Sequence, residues 1–155
     1  CFIIAPHEIE PAHIRQFADR LHKRVQLYSM ATIPEAARPS VLIIDNIGLL
    51  ASIYRYGDVA YVGGGFGKGI HNILEPAVYG MPVIFGPKYG KFREAVELVA
   101  EAGAFSIKDY ESFRRIMDSL REDANKLTDT ARATKQFVQR NLGATQVILN
   151  YLKKS

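Results

Sequence analysis

A strand-like run ending at Val62 passes into a loop with five glycines, Gly63, Gly64, Gly65, Gly67 and Gly69, and then into the helix-forming run Asn72-Ile73-Leu74-Glu75-Pro76-Ala77. Few architectures accept that order. Glycines let a backbone approach a ligand closely and take positive φ. A helix that opens at the end of such a loop points its unpaired N–H groups, and the positive end of its dipole, into it. That arrangement holds an anion, most often a phosphate. The competing reading is a glycine-rich turn in an α/β protein that binds nothing.

The flanking sequence repeats the alternation. Phe2–Ala5, Val25–Tyr28, Val41–Ile44, Asp58–Val62 and Pro82–Phe85 read as strands, with Ala104–Ile107 as a short sixth. Helices are predicted over Pro11–Arg24, Gly48–Tyr56, Asn72–Tyr79, Phe92–Ala102, Asp109–Leu120, Asp123–Gln139 and Ala144–Lys153. Ala31–Ser40, broken by Pro34 and Pro39, reads as a loop. In the first helix Ile14, Phe17, Ala18 and Leu21 repeat at helical spacing. Strands alternating with helices imply right-handed βαβ units. Wholly apolar strands imply a parallel sheet covered on both faces. The expected fold is α/β, a doubly wound parallel sheet of Rossmann-like type. Its ligand site belongs beyond the carboxyl ends of the strands. Pro6-His7, Asn46–Leu49 and Gly63–Glu75 fall at such ends and are expected to converge.

The chain has 155 residues, so a single domain over 1–155 is expected. A net charge of +4 fits an anionic ligand or a membrane surface and is too small a bias for nucleic acid. The one cysteine, Cys1, excludes a disulfide or a cysteine-based metal site within the chain. No apolar run approaches the ~20 residues of a membrane span, and no signal peptide is visible. The sequence is already strand-like at Cys1-Phe2-Ile3 and lacks an initiator Met, so a piece of a larger protein is expected.

The glycine loop fails two familiar tests. A dinucleotide fingerprint needs a third glycine where Lys68 or Ile70 stands. A P-loop needs Ser or Thr where Gly69 stands and Gly where Val62 stands. Asn72 and Glu75 have the spacing of a helix cap and its partner; a carboxylate at position 75 equally suits the two vicinal hydroxyls of a ribose. His7 and His71 either bind a phosphate when charged or cap turns. Lys68, Lys88 and Lys91 are solvated charges or add positive potential at the mouth of the site. No metal-ligand spacing and no Ser-His-Asp or Cys-His arrangement is present.

Several longer runs carry a family likeness: Asp45–Tyr54, Gly57–Gly65, His71–Ala77, Gly80–Pro87 and then Phe92. In order and spacing, residues 41–92 closely resemble the C-terminal half of 3-deoxy-D-manno-octulosonic acid (Kdo) transferases; the flanks fit more loosely. The resemblance implies one half of a two-domain GT-B glycosyltransferase. This half would bind CMP-Kdo, and an N-terminal domain absent from this chain would bind the lipid A precursor and supply the catalytic base. It further implies lipopolysaccharide biosynthesis at the cytoplasmic face of the bacterial inner membrane, by peripheral association and without a metal or other cofactor.

Carried over by position, the CMP contacts are Pro6 and His7, then Ile47, Gly48 and Leu49, then Asn72, Ile73, Leu74 and Glu75. Backbone groups would serve at Ile47, Leu49 and Ile73, Asn72 would help to hold the phosphate, and Glu75 the ribose. His7 stands where the family has arginine, and Leu49 where it has an acidic residue. No catalytic residue is expected in this chain, and no sugar transfer by it alone. The alternatives are a GT-B transferase using a UDP-sugar and a non-catalytic α/β nucleotide-binding or interaction domain.

Overall fold

Short, continuous apolar triplets form the strands, and the computed structural model describes residues 1–31, 39–143 and 151. In chain order the elements are β1 (Phe2–Ile4), α1 (Pro11–Asp19), β2 (Val25–Leu27), β3 (Val41–Ile43), α2 (Leu50–Ile53), β4 (Ala60–Val62), α3 (Leu74–Val78), β5 (Val83–Phe85), α4 (Arg93–Ala100), β6 (Ala104–Ser106), α5 (Tyr110–Glu122) and α6 (Ala124–Asn141). Single 3-10 turns follow β2 (Tyr28–Met30) and α2 (Tyr54–Tyr56). The strands form two three-stranded sheets, β1-β3-β2 and β4-β5-β6, and every pairing in them is parallel. The expected α/β class and parallel pairing are therefore present. The expected helix over Ala144–Lys153, residue 151 apart, and Pro34 of the expected loop lie outside the described residues.

The chain divides into two compact units, residues 1–55 and 56–155. In the first, α1 covers one face of the sheet. Ile14 packs with Val41 and Ile43, and Ile4, Ile9, Ala18, Leu21, Val25 and Leu27 close around them. Pro11 opens α1 at its first turn, as its missing N–H allows. The helix stops at Asp19 rather than at Arg24, because His22 adopts φ of +39° and ends the helical run. Asp45, just past β3, accepts hydrogen bonds from both the N–H (2.9 Å) and the hydroxyl of Ser29, just past β2. One carboxylate thus ties two adjacent strand ends.

In the second unit β5 is the central strand and is buried along its whole length. Val83 and Phe85 point to one face, where Val62, Ile73, Ala77, Leu98 and Phe137 meet them. Ile84 points to the other, toward Ile107 and Leu120, with Phe113 and Met117 beside them. Each such large side chain contributes about 1.5–3 kcal/mol by leaving water. Helices cover both faces, as the continuous apolar strand requires. The helix α6 packs on α3 and α5. Its buried Thr134 directs its hydroxyl at the carbonyls of Gly103 (2.8 Å) and Thr130 (3.0 Å). A capping box between Asp109 and Ser112 starts α5, and Asp123 caps α6 through the N–H groups of Asn125 and Lys126.

Candidate functional site

The residues expected at the site fall into two groups, one in each unit. In the first unit, Pro6 and His7 follow β1, and Ile47, Gly48 and Leu49 follow β3. Those strands are hydrogen-bonded neighbours, and the pairing runs one residue beyond them through Ile44 N–H to the Ile4 carbonyl (2.8 Å). The structure thus places both segments at the carboxyl edge of one sheet. Pro6 and His7 line a shallow recess with Glu8, His13, Ile14 and Phe17. His13 Nδ1 lies 3.0 Å from a Glu8 carboxylate oxygen. Gly48 takes φ of +88° with open space where a Cβ would stand, and the neighbouring Ile47 side chain is 87% exposed. An isoleucine that exposed is not part of a core.

Asp45 holds this loop. Burial raises its carboxyl pKa, but the Ser29 hydroxyl and N–H hydrogen bonds outweigh that and leave it below the usual carboxylate value. No local signal in the sequence marks this pair. Its partners are sixteen positions apart, and only the adjacency of β2 and β3 brings them together.

In the second unit, Asn72, Ile73, Leu74 and Glu75 stand where the glycine loop enters α3. The helix is five residues long, Leu74–Val78, and not the eight expected over Asn72–Tyr79. It ends because Gly80 takes φ of +72° and reverses the chain. So short a helix has a small dipole, and the side chains at its start matter more. Asn72 Oδ1 accepts from the Leu74 N–H (3.0 Å), and Asn72 Nδ2 donates to Glu75 Oε1 (3.1 Å). This differs from a regular capping box. The N-cap is Ile73, so Asn72 stands one residue ahead of it, and Glu75 meets the side chain of Asn72 rather than its backbone. Pro76 cannot donate to the Asn72 carbonyl four residues back, so α3 makes its first regular bond from Ala77 N–H to the Ile73 carbonyl (3.2 Å). Ile73 is buried in the core, which leaves its backbone as the part able to meet a ligand.

The glycines have structural tasks. The Gly67 N–H donates to the Gly64 carbonyl (2.8 Å), and the His71 N–H to the Gly63 carbonyl (3.1 Å), which closes the loop on itself. Gly64 takes φ of +87°, and a Cβ there would collide with the Gly69 carbonyl. Gly65 lies against Gly86, the residue after β5. A Cβ on Gly65 would stand 2.6 Å from the Gly86 nitrogen, and the Lys88 N–H donates to the Gly65 carbonyl (3.0 Å). The loops after β4 and β5 therefore touch backbone to backbone. Among the described residues, no group of three or more His, Cys, Asp or Glu side chains could hold a metal ion.

The 3-deoxy-D-manno-octulosonic acid transferase of Aquifex aeolicus is 34% identical to this chain over 110 residues, covering 69% of the chain and 30% of that protein. The chain belongs to the Kdo transferase family. The Kdo transferase of Haemophilus influenzae matches over 92% of the chain at 29% identity, covering 35% of that protein. The chain thus spans about a third of the length of these curated relatives. No family model matches it. Among solved structures, the C-terminal CMP-Kdo binding domain of WaaA from Acinetobacter baumannii superposes with a TM-score of 0.77, covering 88% of this chain and 72% of that one at 24% identity. That likeness shows the fold, an α/β arrangement of Rossmann-like type.

Proposed function

We propose that this chain is the nucleotide-sugar-binding half of a Kdo transferase, a glycosyltransferase that moves Kdo from CMP-Kdo to a lipid A precursor in lipopolysaccharide biosynthesis. The observation that carries the reading is the Asn72–Glu75 pair at the end of the glycine loop, in a chain of this family. The amide of Asn72 fixes one oxygen of the Glu75 carboxylate before any ligand arrives. A preorganised carboxylate accepts hydrogen bonds from a ribose diol at little entropic cost. Asn72 and the N–H groups opening α3 are the donors proposed for the phosphate. For the first unit, the family correspondence supplies Pro6 and His7 and the segment Ile47, Gly48 and Leu49, with backbone groups proposed as the contacts at Ile47 and Leu49.

In the proposed reaction an acceptor hydroxyl attacks the anomeric carbon. The bond from that carbon to the phosphate oxygen breaks, CMP departs with the electron pair, and the hydroxyl proton passes to a base outside this chain. Holding CMP stabilises the charge that develops on the leaving phosphate. No cofactor or metal is part of this proposal. No helix among the described residues is long and apolar enough to cross a membrane. The proposed location is the cytoplasmic face of the bacterial inner membrane, reached by peripheral association in the company of an N-terminal acceptor domain.

Calorimetric titration tests the reading. CMP is expected to bind more tightly than UDP, and the chain alone to transfer no sugar. Glu75→Gln keeps an acceptor for the Asn72 amide but loses the charge. It is expected to weaken CMP binding about tenfold, the scale of a hydrogen bond to a charged group, with thermal stability unchanged. Tighter binding of UDP, or an unchanged CMP affinity in Glu75→Gln, overturns it.

A further inference from the structure

The two loops joined at Gly65 and Gly86 carry a concentration of positive charge that the nucleotide contacts do not use. Between Asp58 and Glu94 the single acidic residue is Glu75, against Lys68, Lys88, Lys91 and Arg93. Elsewhere in this unit, four arginines are paired with carboxylates: Arg114 with Glu111, Arg121 with Asp118, Arg132 with Asp129 and Arg140 with Glu101. Arg93 is likewise held by Glu97. Lys68, Lys88 and Lys91 are exposed, and none forms an ion pair with another described residue.

Their backbone is nevertheless fixed. Lys88 N–H is bonded to Gly65, Phe92 N–H closes on the Tyr89 carbonyl (2.8 Å), and the Tyr89 ring packs on Phe85 of β5 (5.2 Å between centroids). A Cβ on Gly69, next to Lys68, would meet the Phe92 ring at 3.1 Å. Lys68 is therefore held beside the loop that bears Lys88 and Lys91. The same glycine loop leads directly into Asn72.

We propose that Lys68, Lys88 and Lys91 form a subsite for a second negative charge on the donor, the carboxylate of an acid sugar attached to the nucleotide. This rests on the nucleotide reading above and gives it a source of donor selectivity. Three ammonium groups on an anchored loop pair, none of them ion-paired with a described carboxylate, attract an anion. Each can donate a charge-assisted hydrogen bond to a carboxylate oxygen.

The test is titration of the chain with CMP and with CMP-Kdo at low ionic strength, repeated with Lys68→Gln/Lys88→Gln/Lys91→Gln and with the corresponding triple Lys→Arg variant. CMP-Kdo is expected to bind about tenfold more tightly than CMP, the scale of one charge-assisted hydrogen bond. The Gln variant should lose that advantage while its CMP affinity stays within about twofold of the parent, because an exposed charge away from the ligand adds little. The Arg variant should keep it. Equal affinities for CMP and CMP-Kdo in the parent chain overturn the subsite, as does an advantage that survives in the Gln variant. Absence of any CMP binding instead overturns the nucleotide reading, and the subsite with it.

Discussion

Gly65 and Asp45 show how much a single position decides. Gly65 has no room for a methyl group, because the backbone of Gly86 occupies that space. Gly65→Ala is expected to destabilise the protein by about 1–3 kcal/mol, the usual cost of overpacking where backbone must give way, seen as a lower urea midpoint at unchanged slope. An unchanged midpoint would mean the loops part freely. Asp45 has a folded pKa below its ordinary value of 3.8. Its contribution to stability is therefore complete above that value and disappears as pH falls through the folded pKa. Ser29→Ala removes the hydroxyl donor and leaves the N–H bond. The variant should be less stable than the parent at pH 7 by about 1 kcal/mol, and the difference should vanish as pH falls through the folded pKa of Asp45. A difference that persists into acid would assign the loss to something other than the ionised carboxylate. The glycine run was visible in the sequence, and so was Asn72-x-x-Glu75. The use made of the glycines was not, since Gly86 lies twenty-one positions from Gly65 and only the pairing of β4 with β5 brings them together.

At the scale of elements, the strands and the long helices were legible because their signals are local. The apolar triplet Val83-Ile84-Phe85, β-branched and aromatic and set between Pro82 and Gly86, reads as a buried strand, and Asp109 and Asp123 mark the starts of α5 and α6 one residue ahead. The short helices were less legible. The predicted helix over Gly48–Tyr56 resolves into four α-helical residues, Leu50–Ile53, and a 3-10 turn, Tyr54–Tyr56. Few residues there are held by packing; none in either piece is buried, so periodicity had no core face to report. The helix α3 is shortened for a different reason. Pro76 has no N–H to give the Asn72 carbonyl ahead of the helix, and the far end meets the left-handed Gly80. The helix is left with about one turn, and the side chain of Asn72, two residues ahead of it, accepts the otherwise unpaired Leu74 N–H.

At the scale of the whole chain, the two units differ in what holds them. The second has a central strand covered on both faces and two clusters of buried side chains that include Phe85, Phe137, Leu98 and Leu120. The first has one small cluster of three buried side chains, Ile14, Val41 and Ile43. Stability follows buried apolar area, so the first unit is expected to open at lower denaturant. Pulse proteolysis across a urea series should cut residues 1–55 before the remainder. Simultaneous loss of both would show that they unfold as one cooperative body. The family likeness covered both units in sequence order, while the division between them was not legible: no composition shift marks Arg55-Tyr56.

The backbone contact between the two glycine-bearing loops has a kinetic consequence. The amide protons of Gly67, Lys88 and His71 are donated to the carbonyls of Gly64, Gly65 and Gly63. A solvent deuteron reaches any of the three only when its bond opens, and the Gly65–Gly86 packing couples the opening of one loop to that of the other. The exposed loop residues should thus show amide exchange far slower than their accessibility implies, with a common opening rate. In the Gly65→Ala variant the three rates should rise together.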